Sequence, residues 1–354
     1  MTLYKLGVLE GDGIGPEIVK ATIRLVEAIT EKHDVEMEWV PLLVGWKGIA
    51  EANHPLPEET KKALQDCHAW VLGPHDSASY PEEFKNIRNP SGELRHHFDL
   101  YANIRPAKSI PSIEGVVEGA DLVIYRENTE GFYVDRNMYH GVGEFQVTKD
   151  VAITTGVFTR QAIERIAHAA FQKSMQRKKK VTIVHKANVI RIGSGMFLDI
   201  CKEISREYPE VEVDDYHVDA MCAHVVRRIQ DFDVIVTENM FGDILSDLTG
   251  ELIGSLGLAP SINANQEVAM AQAAHGSAPD IAGKDLANPI GMMLSTALLF
   301  EWMSEKFGDS RLEIVGNKIE ESLHRTLLDG IKTKDLGGDR GTQAFTAEVL
   351  NRVL

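Results

Sequence analysis

Asp233-Val-Ile-Val-Thr-Glu-Asn-Met-Phe-Gly-Asp243-Ile-Leu-Ser-Asp247 is the stretch whose reading decides the fold. Asp233 to Val236 predicts a short buried strand, and past Thr237-Glu-Asn the apolar positions take helical spacing through Phe241, Ile244, Leu245, Leu248 and Leu252. A strand runs directly into a helix. On that helix Asp243 and Asp247 stand at i and i+4, which puts both carboxylates on one face with Cβ atoms about 5–6 Å apart. Two like charges held together call for a cation, and all-oxygen ligation suits a hard divalent ion, Mg²⁺ or Mn²⁺. The competing account makes Asp243 a helix-start residue that favours the dipole and leaves Asp247 on the solvent face. This stretch alone does not separate the two.

On either side of it the chain repeats the pattern. Leu6 to Leu9, Val35 to Val40, Ala69 to Leu72, Ala120 to Tyr125, Val181 to Val184 and Val211 to Val218 read as strands, with amphipathic helices between most of them. That rhythm predicts an α/β protein with a largely parallel sheet covered by helices on both faces. The 354 residues suffice for one large or two ordinary domains, and 44% hydrophobic with 25% charged residues is the composition of a globular protein. A net charge of −16 argues against nucleic acid and anionic membrane as general partners. No apolar run approaches a membrane span, and Met1-Thr-Leu-Tyr-Lys leads into a strand rather than a signal peptide. Cys67, Cys201 and Cys222 are odd in number and far apart, as expected of reduced thiols in a cytoplasmic protein.

Further stretches bear on chemistry. Glu10-Gly-Asp-Gly-Ile-Gly-Pro16 joins a strand to a helix, but its glycines at 11, 13 and 15 miss the G-x-G-x-x-G spacing, so a tight turn with Pro16 at the helix start is the better reading. Gly73 to Leu94, rich in Pro, Ser and Asn, reads as a long functional loop. Arg95, Arg105 and Arg126 follow within a short span; converging, they would hold a polyanionic small substrate bidentately, whereas apart they are ordinary surface ion pairs. His185-Lys186-Ala-Asn188 ends a buried strand, where open α/β sheets place their sites and where a lysine can serve as a base. Asp219, at the next strand end, is a candidate third metal carboxylate. The run from His275 to Asn288 has small residues that let a flat ligand approach the backbone, with Asp280 available to ribose hydroxyls; a plain Gly/Pro loop competes. The basic run Arg177 to Lys180 reads as a solvated helix end, and the alternating stretch Phe145 to Thr155 as an excursion that could pair with a second subunit.

Taken together, Gly11-Asp-Gly-Ile-Gly-Pro-Glu, Asp99-Leu-Tyr-Ala-Asn-Ile-Arg-Pro, Arg126-Glu-Asn-Thr-Glu-Gly, His185-Lys-Ala-Asn, Gly242-Asp-Ile-Leu-Ser-Asp and His275-Gly-Ser-Ala-Pro-Asp-Ile-Ala-Gly-Lys resemble the isocitrate and isopropylmalate dehydrogenase family, essentially end to end. The resemblance implies a two-domain fold whose dinucleotide site is not a Rossmann fold, with residues 1–100 and 254–354 in a large domain and 101–253 in a small one. It implies a homodimer with shared active sites in the cleft between domains. Asp243 and Asp247 of one chain, with Asp219 of the other, would bind the metal. Lys186, reaching in from the same chain as Asp219, would be the base, Tyr133 the acid, and Arg95, Arg105 and Arg126 the holders of the malate carboxylates. Ile14, His275, Gly276, Ser277, Ala278, Asp280, Ile281 and Asn288 would bind the dinucleotide. Relatives that use NADP carry Lys-Tyr where this chain has Asp280-Ile281, so NAD is expected.

The implied activity is metal-dependent oxidative decarboxylation of a 3-substituted (R)-malate. Isopropylmalate enzymes place two leucines where this chain has Ser91 and Gly92, and isocitrate enzymes place Ser and Asn where it has Asn89 and Ser91. Those polar groups, with Arg88, favour isocitrate or homoisocitrate over 3-isopropylmalate and D-malate or tartrate. A non-catalytic regulatory subunit should have lost metal or base residues, and this chain keeps them.

Overall fold

The computed structural model describes residues 2–85, 87–110, 112–115, 117–133 and 143–353. The chain divides into two compact units: unit 1 comprises Met1–Ser91, Ile110–Glu114 and Gly254–Leu354, and unit 2 comprises Gly92–Ser109 and Gly115–Ile253.

Unit 1 begins with β1 (Leu3–Leu9), α1 (Gly15–Lys32), β2 (Glu36–Pro41), α2 (Gly45–Ala52), α3 (Glu58–Gln65) and β3 (Ala69–Leu72). The first cut between units falls inside α4 (Pro90–His97). Unit 2 continues with β4 (Ala102–Lys108), β5 (Asp121–Glu127), β6 (Glu144–Thr148), β7 (Val151–Thr154), α5 (Arg160–Met175), β8 (Lys180–His185), α6 (Gly193–Ser205), β9 (Glu212–His217), α7 (Val218–Arg228), β10 (Val234–Thr237) and α8 (Asn239–Leu252). The chain returns to unit 1 through β11 (Ile262–Ala264), β12 (Ala269–Ala271), α9 (Ile290–Phe307), α10 (Ser310–Leu328) and α11 (Thr342–Leu350).

In unit 1 the strands run in the order β2-β1-β3-β12-β11, parallel except where β11 meets β12. Its strands Ala69–Leu72 and Ala269–Ala271 are buried along their whole length, as expected of strands covered on both faces. Helix α9 is apolar nearly all round and is buried accordingly. The Tyr4 hydroxyl donates to Asp309 Oδ2 at 2.9 Å, linking the first strand to the cap of α10.

In unit 2 the order is β4-β5-β10-β8-β9, parallel except for the antiparallel pair β4·β5. Side chains alternate between faces along each strand. Val123, Tyr125, Val181, Ile183, Val234 and Val236 pack against Ile163, Phe171, Phe197 and Ile200 of α5 and α6. Leu122, Ile124, Val184 and Ile235 pack against Met221, Val225, Leu245 and Leu252 of α7 and α8. Helices therefore cover both faces. The β6·β7 hairpin leaves Phe145, Val147, Val151 and Ile153 exposed.

Three local expectations need correction. Gly73 to Leu94 is not loop throughout, because Pro90 starts α4 and Leu94 and Arg95 are buried on it. Asp219 lies in the first turn of α7, since the chain turns helical at Val218 without an intervening loop. The basic run is not simply solvated: Arg177 is bonded to Asp121 and Asp233, Lys179 to Glu210, and Lys180 opens β8.

Candidate active site

The expected strand-to-helix transition places Asp243 and Asp247 one turn apart on α8 of unit 2. The cations facing them are arginines. Asn103 and Arg126 are register partners across β4·β5, and Arg105, two residues along β4, points to the same face, the one that α8 covers. Gly242 makes the close approach possible: a Cβ there would lie 2.6 Å from both Cβ and Cγ of Arg126. Arg126 Nη1 donates to Asp243 Oδ1. Arg105 Nη1 lies 2.6 Å from Ser246 Oγ, 3.3 Å from Asp247 Oδ1 and 3.4 Å from Asp243 Oδ1. The Tyr133 hydroxyl donates to Asp243 Oδ2 at 2.7 Å, and Arg126 Cζ stands 5.6 Å from the Tyr133 ring centroid.

Electrostatics pull the two carboxylates apart. Burial pushes Asp243 upward, but Arg126 and Arg105 outweigh it, helped by the Tyr133 hydrogen bond and by Arg95, so its carboxyl titrates below the usual range. Asp247 goes the other way, because burial and the neighbouring Asp243 charge outweigh the arginines. Burial, with Arg126 beside it, lowers Arg105 to about 10, which still leaves it charged at neutral pH. Arg95, Arg105, Arg126, Tyr133, Asp243 and Asp247 thus form one cluster of mixed charge.

Lys186 and Asp219 stand as a separate ion pair. The Lys186 hydrogen bond holds the Asp219 carboxyl below its ordinary pKa. Among the described residues no group of three or more His, Cys, Asp or Glu side chains could hold a metal, so within one chain Asp219 does not join Asp243 and Asp247. Behind Lys186, its amide donates to Ser194 Oγ at 2.6 Å, and Ser194 in turn donates to the buried Glu238. The preceding His185 accepts the Ala187 amide at Nδ1, so Nε2 carries the proton facing Asp215 at 3.0 Å.

In unit 1 the nucleotide-loop candidates meet the glycine-rich turn. The Ile14 amide donates to the Ser277 carbonyl at 2.9 Å, and a Cβ on Gly13, whose φ is +58°, would collide with that same carbonyl at 2.0 Å. Ala278 has φ +38°, and Asp280 and Ile281 follow in a short 3-10 turn, with Asp280 exposed. His275 Nδ1 lies 3.1 Å from the Gly276 carbonyl, while its Nε2 is buried with no hydrogen-bond partner among the described residues; burial lowers this imidazole, which is therefore neutral at pH 7. Asn288 donates to Asp335 at 2.9 Å and accepts the Ile290 amide. Asn89 is exposed before α4, and the buried Ser91 donates its hydroxyl to Gln272 Oε1 at 2.8 Å.

Two groups escape a reading of the sequence. Asp12 is buried beneath the Gly11-to-Gly15 turn and accepts from the Trp46 amide (2.8 Å), the Asp76 amide (3.0 Å) and the Tyr80 hydroxyl (2.5 Å), so one carboxylate ties this turn to the start of α2 and to the segment from Asp76 to Tyr80. Nothing but its place in the Gly-Asp-Gly turn signals it. Asn239 accepts from Arg126 Nε (2.9 Å) and Nη2 (2.8 Å). Its place in the quoted stretch is visible, but its role is not.

This arrangement of arginines, a phenol and paired aspartates on one helix can be compared with known proteins. The family described as isocitrate/isopropylmalate dehydrogenase matches residues 5–353. An isocitrate/homoisocitrate dehydrogenase of Thermus thermophilus is 42% identical over 350 residues, covering 98% of both chains. The 3-isopropylmalate dehydrogenase of Methanothermobacter thermautotrophicus is 38% identical over 350 residues, covering 99% of this chain and 98% of that protein. The crystal structure of isocitrate dehydrogenase from Methylococcus capsulatus superposes with a TM-score of 0.88 at 37% identity, covering 99% of each chain. Sequence runs, fold and relatives agree, and the chain belongs to the isocitrate/isopropylmalate dehydrogenase family of decarboxylating oxidoreductases.

Proposed function

We propose that the protein oxidises and decarboxylates a 3-substituted (R)-malate with NAD and a divalent metal, and that isocitrate or homoisocitrate is its substrate. The observation that carries this reading is the convergence of Arg105, Arg126 and Tyr133 on Asp243 and Asp247 in unit 2. The arginines hold substrate carboxylates by charge-assisted bonds. Lys186 takes the hydroxyl proton, and Tyr133 returns one to the carbon left by CO₂.

Asp243 and Asp247 fit a hard cation by donor chemistry and by their exposure, and a third carboxylate, Asp219, comes from a second copy of the chain. A divalent ion held there would polarise the substrate hydroxyl and stabilise negative charge as CO₂ departs. His275 Nε2, buried and unpartnered among the described residues, fits a hydrogen-bond donor of a nucleotide base, and Ile14, Gly276, Ser277, Ala278, Ile281 and Asn288 frame the same loop. The exposed Asp280 carboxylate favours ribose hydroxyls over a 2′-phosphate, hence NAD over NADP.

Substrate choice rests on the polar run Arg88, Asn89 and Ser91 in place of an apolar wall; the relatives' names include both tricarboxylate and isopropylmalate enzymes. The homodimer is supported by the hairpin β6·β7, whose Phe145 and Val147 are 55% and 61% exposed in the single chain. Three free thiols, two of them buried, support a reducing, cytoplasmic setting, and among the described residues no helix is long and apolar enough to cross a membrane.

The test is NADH formation with Mg²⁺ or Mn²⁺ on isocitrate, homoisocitrate, 3-isopropylmalate, D-malate and tartrate, each with NAD and NADP. A clear preference for isopropylmalate would overturn the polar reading of Asn89 and Ser91. Absence of all turnover would favour a non-catalytic regulatory subunit.

A further inference from the structure

Both central arginines are held at Nε by a neutral side chain. Arg126 Nε and Nη2 donate to Asn239 Oδ1 at 2.9 and 2.8 Å. Arg105 Nε donates to Asn103 Oδ1 at 2.8 Å. All four side chains are buried, Arg126 and Asn239 to 1% exposure and Asn103 to 0%. The amide orientation of Asn239 is fixed, because its Nδ2 donates to the Glu130 carbonyl at 3.0 Å and a flip would set N–H groups against N–H groups.

A buried guanidinium is usually accepted by a carboxylate, which satisfies its hydrogens and cancels its charge. An amide oxygen satisfies the same hydrogens and leaves the charge intact. The carboxylates then meet the cation at its other nitrogen, Nη1: Asp243 for Arg126, and Asp243 and Asp247 for Arg105.

We propose that Asn239 and Asn103 are positioning residues that orient Arg126 and Arg105 without adding negative charge to that of Asp243 and Asp247, and so preserve the positive field that captures an anionic substrate. The inference rests on the reading of these arginines as carboxylate holders. It explains the residue type at both positions: an aspartate would fit the same space and hold the same geometry, but would withdraw the charge from the substrate.

Asn239→Asp and Asn239→Ala separate charge from geometry. With the best substrate of the panel above, Asn239→Asp raises KM by about tenfold or more, equivalent to about 1.4 kcal/mol, with the loss concentrated in KM rather than kcat, and flattens the fall of kcat/KM with ionic strength. Asn239→Ala lowers kcat/KM but keeps the ionic-strength dependence, since the guanidinium charge survives. Asn103→Asp repeats the first result through Arg105, independently of the Glu130 contact that an aspartate at 239 would disturb. Thermal unfolding midpoints are recorded for each, so that a damaged fold is recognised. A parental KM and salt dependence in folded Asn239→Asp or Asn103→Asp, with Arg126→Gln impaired, overturns the inference. If Arg126→Gln itself keeps the parental KM, the carboxylate-holding reading is what fails, and the inference falls with it.

Discussion

Gly242→Ala tests how closely α8 must lie on β5. In a helix interior the substitution gains about 1 kcal/mol from lost chain freedom. Here the new methyl meets Arg126 Cβ and Cγ at 2.6 Å and Cδ at 3.1 Å, against an ordinary carbon–carbon contact of about 3.5–4.0 Å. The opposing atoms are the first carbons of a buried side chain on a central strand, so they cannot swing away as a flexible tip could. Strand and helix must separate by roughly 1 Å, an overpacking that costs about 1–3 kcal/mol, and the small helix gain does not offset the upper part of that range. We expect a net loss of up to about 2 kcal/mol. For a unit of this size the thermal midpoint then falls by up to about 8 °C. The same displacement pulls Arg126 from the two bonds to Asn239, and misplacement on this scale costs up to about 100-fold in turnover. Calorimetry and steady-state kinetics on the purified variant read both effects. A variant as stable as the parent, with unchanged KM, would refute the packing argument.

Three other outcomes are expected. Burial raises Glu130, with Glu127 adding to it, and Glu238 to about 7 each. Unfolded glutamates titrate near 4.3, so between about pH 4.5 and 7 the folded chain binds more protons and stability falls as pH rises; urea midpoints of Glu130→Gln and Glu238→Gln should lose part of that slope, and an unchanged slope counts against the burial argument. Lys186→Met should lower kcat by about 10²–10⁴ while NAD binding, followed by fluorescence, persists, and comparable turnover would remove Lys186 as the base. If Lys186 and Asp247 serve one site from different chains, mixing inactive Lys186→Met and Asp247→Asn homodimers should restore roughly a quarter of parental activity as subunits exchange; no recovery despite exchange would place both residues in the same chain's site.

The elements legible in the sequence are those where periodicity and burial coincide. The strand Val234–Thr237 and the helix Asn239–Leu252 follow from the change of period after Glu238, and they carry the carboxylate pair with them. The short strands Ile262–Ala264 and Ala269–Ala271 are not visible there, because three residues are too few to show a period and the second of them pairs with β3, roughly two hundred positions earlier. Helix Gly45–Ala52 escapes for a similar reason: it is short, holds two glycines, and has no polar cap. In the site, the charged groups stand out by type, and the clustering of Arg105, Arg126, Tyr133, Asp243 and Asp247 agrees with the runs that contain them. Asn103, Asn239 and Asp12 do not stand out. Their importance lies in which single atom each one faces, and that is a property of strand register and loop closure rather than of spacing along the chain.

The division of unit 1 into segments far apart in sequence also bears on how the protein is made. Residues up to Ser91 supply three of its strands, whereas β12 and helices α9, α10 and α11 follow Gly254. At 5–20 residues per second, the interval between the two is on the order of 10–30 s, and during it the edge of β3 that receives β12 has no partner. Most of unit 2, by contrast, is a continuous run that can close as soon as it emerges. The middle of the molecule is therefore set to mature on the ribosome before its first-made part. Factors that shield strand edges in nascent chains should matter most for the earliest residues, and slowing translation between Ser91 and Gly254 should lengthen their exposure and increase aggregation.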